Sequence, residues 1–171
     1  MQRIPARLVA LLSLGVALSG IIHAINLFNR DLLFTRAQTE LSFWGRGSYS
    51  PEPVTVLRTE QSLNKLLSGA ATNPEYLALH ANYFAWQAYW AEEFQLAQHF
   101  GQQAVDTQYA ALQSRPAHRH SWTKMLEYAS RIQDGKPMRA EAQARVNALE
   151  RRPTRSSCET SGEVVGYSGP C

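Results

Sequence analysis

The sequence predicts an all-α protein made of a single N-terminal transmembrane helix and a small domain of helical hairpins. An uncharged apolar stretch near the N-terminus is long enough to cross a bilayer. Beyond it, apolar residues recur at helical intervals, and the segments are separated by Pro and Gly. No stretch shows the alternation of apolar and polar residues that a half-buried strand requires.

The apolar stretch, "LVALLSLGVALSGIIHAINLF", covers residues 8–28 and contains no formally charged side chain. At about 1.5 Å per residue, a helix of this length crosses the ~30 Å hydrocarbon core of a membrane. The preceding residues 1–7 carry Arg3 and Arg7. The positive-inside rule therefore predicts a cytoplasmic N-terminus and a domain on the other side of the membrane.

A cleaved signal peptide is the alternative interpretation of the same stretch. Small residues that could precede a cleavage site occur at Ala17, Ser19 and Ala24. The apolar run continues beyond these positions, which favours an uncleaved signal-anchor.

Four small or polar residues form a row within the predicted span. Gly15, Ser19, His23 and Asn26 follow one another at spacings of four, four and three, which places them nearly in line on a helix. Such a row allows a second transmembrane helix to approach closely and to form hydrogen bonds across the contact. Two interpretations remain: the row contacts a partner or a second copy, or His23 and Asn26 reach water at the outer boundary.

Residues 29–50 are expected to continue the first helix beyond the membrane and to end it at Gly45 or Gly47. Pro51 and Pro53 then open a helical domain that extends to residue 152. A loop-rich tail, residues 153–171, follows. Within the domain, five helices are predicted at about 54–67, 74–93, 94–114, 116–134 and 137–152.

The helix from 74 to 93 has two apolar arcs, which predicts that it is buried on two sides at the centre of the domain. One arc runs from Tyr76 to Trp90 and is rich in aromatic residues. Core packing explains such an arc, because aromatic side chains usually bury themselves. The alternative is a glycan-binding face formed by Tyr83, Trp86, Trp90 and Trp122.

The hairpins are predicted to be TPR-like. Ala104, Ala111 and Pro116 have the spacing of the second-helix alanines and closing proline of a tetratricopeptide repeat. The glycine-containing turn between paired helices is missing, and no second full period aligns, so the repeats are degenerate.

The stretch "QSRPAHRHSWTKMLEYASR", residues 113–131, contains residue types that occur in catalytic and metal sites. On a helix, His118 and His120 diverge by about 200° and cannot share one ion. Ser121 and Lys124 have the S-x-x-K spacing of penicillin-binding proteins, but the S-D-N and K-T-G elements of that chemistry do not occur. A helix junction explains the stretch better, with Trp122 on the inward face of the following helix. No catalytic, cofactor or metal residue is predicted.

The charge composition of the chain limits the classes of partner that it is expected to bind. Without Arg3 and Arg7, 15 of the 17 Lys and Arg residues remain against 14 Asp and Glu, so the body is nearly neutral. Nucleic-acid binding, which requires a clustered basic face, is not expected. The two cysteines, Cys158 and Cys171, share the Gly-rich tail and are predicted to form a disulfide in an oxidising compartment.

Three stretches together, "AQTELSFWGRGSY", "NPEYLALHANYFAWQAYW" and "AVDTQYAALQSRPAHRHSWTKMLEYASR", resemble the VpsP-type polysaccharide-biosynthesis proteins. The resemblance covers about residues 37–131. It implies a small accessory protein anchored in the bacterial inner membrane, with its domain in the periplasm, that serves exopolysaccharide production in biofilm matrices. It implies no catalytic residues.

The leading functional hypothesis is therefore a non-enzymatic scaffold or adaptor. Its expected partners are inner-membrane proteins of polysaccharide assembly or a second copy of the chain, with a glycan as a further possibility. The alternatives are a glycan-binding module that uses its aromatic residues and an envelope enzyme that processes glycans. The enzyme would need a pair of acid–base carboxylates, and the sequence shows none in a recognisable setting.

Overall fold

A computed structural model of the chain describes residues 6–150, and their side chains from residue 13 onward. Within this range the chain forms six helices and no strand, which confirms the all-α prediction. The helices are α1 (Ala6–Phe43), α2 (Pro53–Gly69), α3 (Pro74–Trp90), α4 (Phe94–Ser114), α5 (Arg119–Ala129) and α6 (Lys136–Glu150).

Helix α1 is a single helix of 38 residues that joins the apolar N-terminal stretch to the domain. Its C-terminal part packs into the domain and buries Ala37 and Leu41, and Trp44, which directly follows the helix, is buried as well. From residue 13 to residue 29 its side chains are exposed. None of the helices, over the residues described, has the length and apolar character that a membrane span requires. The span at residues 8–28 stays a prediction.

Helix α1 ends at Phe43, two residues before the first of the two glycines at which its end is predicted. Both glycines have positive φ angles, Gly45 at 74° and Gly47 at 56°. The side chains around this end are tied together through the carboxylate of Glu40. It accepts a hydrogen bond of 3.0 Å from Trp44 Nε1 and a second bond from the Tyr49 hydroxyl.

A first core cluster joins α1, α2 and α3. Helix α2 contributes Leu63 and Leu66, which are fully buried, and it also buries the hydroxyl groups of Thr59 and Ser62. Each hydroxyl donates to a carbonyl one turn earlier within α2. Because these polar groups are satisfied inside the helix, they can face the core at little cost. The cluster consists of Ala37, Leu41, Trp44, Leu63, Leu66, Leu79 and Tyr83.

A second core cluster joins α3, α4, α5 and α6. Helix α3 supplies Ala81 and Ala85, and the small size of these residues allows α4 to lie close to α3. Helix α3 therefore packs on both sides, as its two apolar arcs predict. Its start is also as predicted, because the Asn73 side chain accepts hydrogen bonds from the N–H groups of Glu75 and Tyr76. The buried members are Ala81, Ala85, Ala104, Val105, Leu112, Trp122, Met125, Tyr128, Ala129, Ala142 and Val146.

Helix α5 is shorter than the predicted segment 116–134. It begins three residues late because the chain first makes a turn, in which His118 N–H donates to the Arg115 carbonyl at 3.1 Å. At its other end Gln98 of α4 replaces the helical hydrogen bonds. The Gln98 side chain donates to the Arg131 carbonyl and accepts from Gln133 N–H at 2.8 Å. A side chain far away in sequence therefore satisfies backbone groups just beyond the end of this helix.

The Gly45→Ala substitution is expected to destabilise the domain more than Gly47→Ala. Both alanines would adopt a positive φ, which costs about 1–2 kcal/mol. At Gly45 the new methyl group would also overlap the Trp86 ring, whereas the space around Gly47 is open. Chemical denaturation should show a loss of about 2–4 kcal/mol for Gly45→Ala and about 1 kcal/mol for Gly47→Ala. Equal losses would contradict the packing of Trp86 on this turn.

His80 is expected to make the stability of the domain depend on pH. Burial lowers the pKa of His80 below its ordinary value of 6.5, and its ring lies 4.3 Å from that of Phe84. Below pH 6.5 the unfolded chain therefore binds a proton that the folded chain binds only at lower pH, so acidification favours unfolding.

Thermal unfolding should show that the melting temperature decreases as the pH is lowered from ~7.5 to ~5.5. This decrease should be smaller in the His80→Leu variant. His99→Leu is the matched control, because the His99 ring is exposed on α4. An unchanged slope in His80→Leu would contradict this origin of the pH dependence.

Candidate functional site

A cleft of about 380 Å³, here called the basic cleft, lies between α1, α3, α4 and α5. Its position is set by the second core cluster, which holds α5 against α4, and by α1, which packs along α3. Most of its polar lining comes from the stretch that the sequence shows as a helix junction. The lining residues used below are Phe34 and Gln38 of α1, Glu75 and Asn82 of α3, and Arg115, His118, His120, Ser121, Lys124 and Tyr128.

The turn between α4 and α5 is fixed to the domain core by Trp122. Its ring is buried in the second core cluster, and its Nε1 donates to the Pro116 carbonyl at 2.8 Å. The buried Gln108 side chain donates to the Ser121 carbonyl at 2.9 Å. These two bonds position the start of α5, so that His118 and His120 line the cleft. The positive end of the α5 dipole lies at the same place.

The charges of the basic cleft are only partly compensated. Arg115 contacts Glu75 at 3.4 Å through a pair that is largely exposed on the glutamate side, and such pairs are weak. The Nε atom of Arg115 is buried without a hydrogen-bond partner. Lys124 contacts Glu127 at 2.9 Å, but Glu127 also holds Arg131 at 2.8 Å. Donors for an anion therefore remain.

One wall of the cleft is formed by Tyr128, which is buried in the second core cluster. Burial raises the pKa of Tyr128 above its usual value of 10.0. The phenol is therefore neutral at physiological pH, and it adds no negative charge to the cleft.

A second pocket of about 250 Å³ adjoins the basic cleft. Asn82, Lys124 and Tyr128 line both spaces. The second pocket is also lined by Trp86 and Tyr89, whose rings meet edge to face at 5.6 Å, and by the ion pair of Glu127 and Arg131. We call the part lined by Trp86 and Tyr89 the aromatic end. Tyr89 was not selected from the sequence, because its position on the helix falls outside both apolar arcs.

A different groove of about 480 Å³ runs between α2 and the α3–α4 pair. Its walls include Pro51, Leu57 and Phe100, and its one charged residue is Glu60. The buried amide nitrogen of Gln87 has no hydrogen-bond partner there. This groove lacks the convergent charges of the basic cleft, which is therefore the better candidate for a binding site.

The zinc and S-x-x-K interpretations find no support in this geometry. The His118 and His120 rings are 6.2 Å apart, and the described part of the chain contains no group of three or more residues arranged to hold a metal ion. Ser121 is buried, and its hydroxyl is 2.7 Å from His118 Nδ1. A nucleophile–base pair would resemble this contact, but the described hydrogen bonds of the His118 ring include no carboxylate to orient it.

The structure places the four proposed glycan-binding aromatic residues in different environments. Tyr83 is buried in the first core cluster and Trp122 in the second. Trp86 and Trp90 are partly buried, and Trp90 packs on Trp44 with a ring distance of 4.8 Å. The four do not share one surface, and Trp86 alone among them lines the basic cleft or the adjoining pocket.

The other predicted site residues lie away from the cleft. Gly15, Ser19, His23 and Asn26 are all on α1 and exposed, and no atom lies near the position that a Cβ of Gly15 would take. The predicted disulfide between Cys158 and Cys171 lies outside the described residues.

Comparison with known proteins adds no assignment. No family model matches the chain, and neither the curated proteins nor the solved structures include a significant match.

Proposed function

We propose that this protein is a non-enzymatic adaptor, anchored in a membrane through α1. The observation that carries the proposal is the contrast between the two parts of that helix. Its C-terminal part is packed into the domain, whereas large apolar side chains of the preceding part remain exposed. A helix of a soluble protein would turn a polar face to water. The exposed residues are Leu14, Val16, Leu18, Ile21, Ile22, Ile25, Leu27 and Phe28.

The exposed apolar residues lie on opposite sides of the helix. At about 100° per residue, Leu14, Ile21 and Ile25 share one side, whereas Val16 and Leu27 face the other. A single protein groove could cover only one side of such a helix. Lipid chains contact a helix from all sides, so a bilayer suits this surface best. The basic residues Arg3 and Arg7 favour a domain outside the cytoplasm.

The absence of enzymatic activity is part of the proposal. Glycoside hydrolysis uses two carboxylates at the reacting bond. Glu75 in the basic cleft and Glu127 in the adjoining pocket are instead held in ion pairs with basic side chains. The helical hairpins, α3 with α4 and α5 with α6, are of a kind that serves as a protein-binding scaffold in TPR-like domains.

The biological setting follows from the resemblance to VpsP-type proteins. Two of its three stretches form α3 and the α4–α5 junction, which are the walls of the basic cleft. We therefore propose that the domain lies in the periplasm, on the inner membrane, and holds together proteins that make or export an exopolysaccharide.

The anchor is proposed to contact a partner through the row of Gly15, Ser19, His23 and Asn26. These residues are exposed on α1 and bring small or polar surfaces to one side of an otherwise apolar helix. Polar groups that face lipid are costly, so a contact with another transmembrane helix would stabilise them.

The paired substitution Leu14→Arg and Leu18→Arg is expected to remove the protein from the membrane. An arginine near the middle of a span costs roughly 2.5–3.5 kcal/mol on insertion scales, so two should exceed what the span contributes. Membrane fractionation followed by alkaline extraction measures the change.

The matched control is the pair Leu32→Arg and Thr35→Arg, which lies on the same helix beyond residue 28. Leu18 and Leu32 have similar exposures, 52% and 51%, so the two pairs differ mainly in their distance from the predicted span. Extraction of both pairs, or of the unaltered protein, would contradict the anchor.

Replacing the row tests the adaptor role separately from the anchor. Gly15→Leu and Ser19→Leu together with His23→Ala and Asn26→Ala keep the helix apolar, so the variant should still insert. We expect it to lose its membrane partners in affinity purification from detergent-solubilised native membranes. A variant that inserts and retains the same partners would show that the row is not the contact.

A further inference from the structure

The basic cleft and the adjoining second pocket share Asn82, Lys124 and Tyr128 as lining residues, and together they make up a groove with a cationic and an aromatic half. We propose that this groove binds a saccharide that carries a phosphate ester. Arg115, Lys124, His118 and His120 line the cationic half together with the carboxylate of Glu75. Glu127 and Arg131 line the adjoining pocket, where Glu127 contacts both Arg131 and Lys124. Trp86 and Tyr89 line the aromatic half.

Phosphate fits the cationic half better than a carboxylate does. A phosphate monoester carries a charge of about −1.5 to −2 at neutral pH and offers three strong acceptor oxygens. A carboxylate offers two acceptor oxygens to the donors of this half, so it satisfies fewer of them than a phosphate monoester does. The diester of a lipid-linked sugar carries one negative charge on two free oxygens, and it would rely on its sugar and lipid contacts for the rest of its affinity. When the Ser121 hydroxyl donates to His118 Nδ1, His118 Nε2 carries the proton and can donate to a ligand.

The rest of the groove suits a sugar. The cleft volume of about 380 Å³ and the adjoining pocket of about 250 Å³ accommodate a small phosphorylated saccharide. Gln38 and Asn82 provide amides that can both donate to and accept from hydroxyl groups. Tyr89 is 66% exposed, so its ring can pack on the apolar face of a sugar ring.

The position of the groove suggests where the ligand comes from, and this step rests on the proposed anchor. Phe34 and Gln38 of α1 line the cleft, and Phe34 follows Phe28 by six residues. At ~1.5 Å per residue, the cleft begins about 9 Å beyond the predicted span, next to the headgroup layer. A phosphate ester linked to a lipid could reach it from the membrane, and a free sugar phosphate could reach it from solution.

Calorimetric titration of the full-length protein in maltoside micelles tests the proposal. The ligands are glucose 1-phosphate, glucuronate and a polyprenyl phosphoglucose. Saturable binding of either phosphate compound, at least tenfold tighter than that of glucuronate, supports the site. Tighter binding of the polyprenyl compound identifies the membrane as the source, and tighter binding of glucose 1-phosphate identifies the soluble pool. Binding of neither, or equal binding of glucuronate, overturns the proposal.

Substitutions in the cationic half should weaken the binding of glucose 1-phosphate where they remove a positive charge and tighten it where they remove a negative charge. Arg115→Gln and Lys124→Gln are each expected to weaken binding of glucose 1-phosphate about tenfold or more, because each removes a charge-assisted hydrogen bond. Glu75→Gln should tighten it about two- to fivefold by removing the opposing charge. Arg139→Gln and Glu141→Gln, exposed on α6, are the charge-matched controls. Effects of equal size in the controls would overturn the site.

The aromatic half is tested with Tyr89→Ala. This variant should weaken binding of glucose 1-phosphate about three- to tenfold and leave binding of inorganic phosphate unchanged. Phe94→Ala is the control, because Phe94 is equally exposed, at 66%, and does not line the groove. An unchanged affinity in Tyr89→Ala would show that the saccharide does not reach the aromatic end. Membrane extraction of these variants, measured in parallel, keeps a failure of the groove separate from a failure of the anchor.

Discussion

The fold depends on the burial of α3 from both sides. One side of this helix completes the cluster formed with α1 and α2, and the opposite side completes the cluster formed with α4, α5 and α6. Neither cluster is closed without α3. The choice of side chains follows from this constraint: Ala81 and Ala85 allow close approach of α4, while Tyr83 and Leu79 fill the wider space towards α1 and α2.

The same constraint connects the domain to the predicted membrane span. Because Trp44 packs on Trp90 and Tyr83, the end of α1 is fixed against α3. Phe34 meets Tyr76 with a ring distance of 5.5 Å, near the start of α3, so α1 and α3 run in the same direction. The start of α3 and the α4–α5 turn therefore lie towards the exposed part of α1. This arrangement places the basic cleft near the predicted membrane surface and the aromatic end farther from it.

The groove is lined by polar residues that do not take part in core packing. The turn before α5 is held by the buried groups of Trp122 and Gln108, which frees Arg115, His118 and His120 to face the opening. Junctions between helices in a stack expose backbone and polar side chains, while the helix faces are used for the core. For this reason a stretch that is correctly explained as a helix junction also supplies most of the polar lining of a cleft.

The sequence by itself determined the helices and the central position of α3, because helical periodicity and Pro or Gly breaks are local properties. It located the end of α1 near Gly45 and Gly47 and the cap at Asn73 for the same reason. Only the tertiary structure showed how the backbone beyond α5 is satisfied, because the amide of Gln98 binds it from another helix. It also decided that Tyr83 and Trp122 are core residues of separate clusters, although both are aromatic residues on apolar faces.

The groove could not be predicted, since Glu75 and Arg115 are 40 positions apart and no periodic pattern relates them. Their proximity arises because α3 and α4 pack against each other, and that packing is a property of the whole domain.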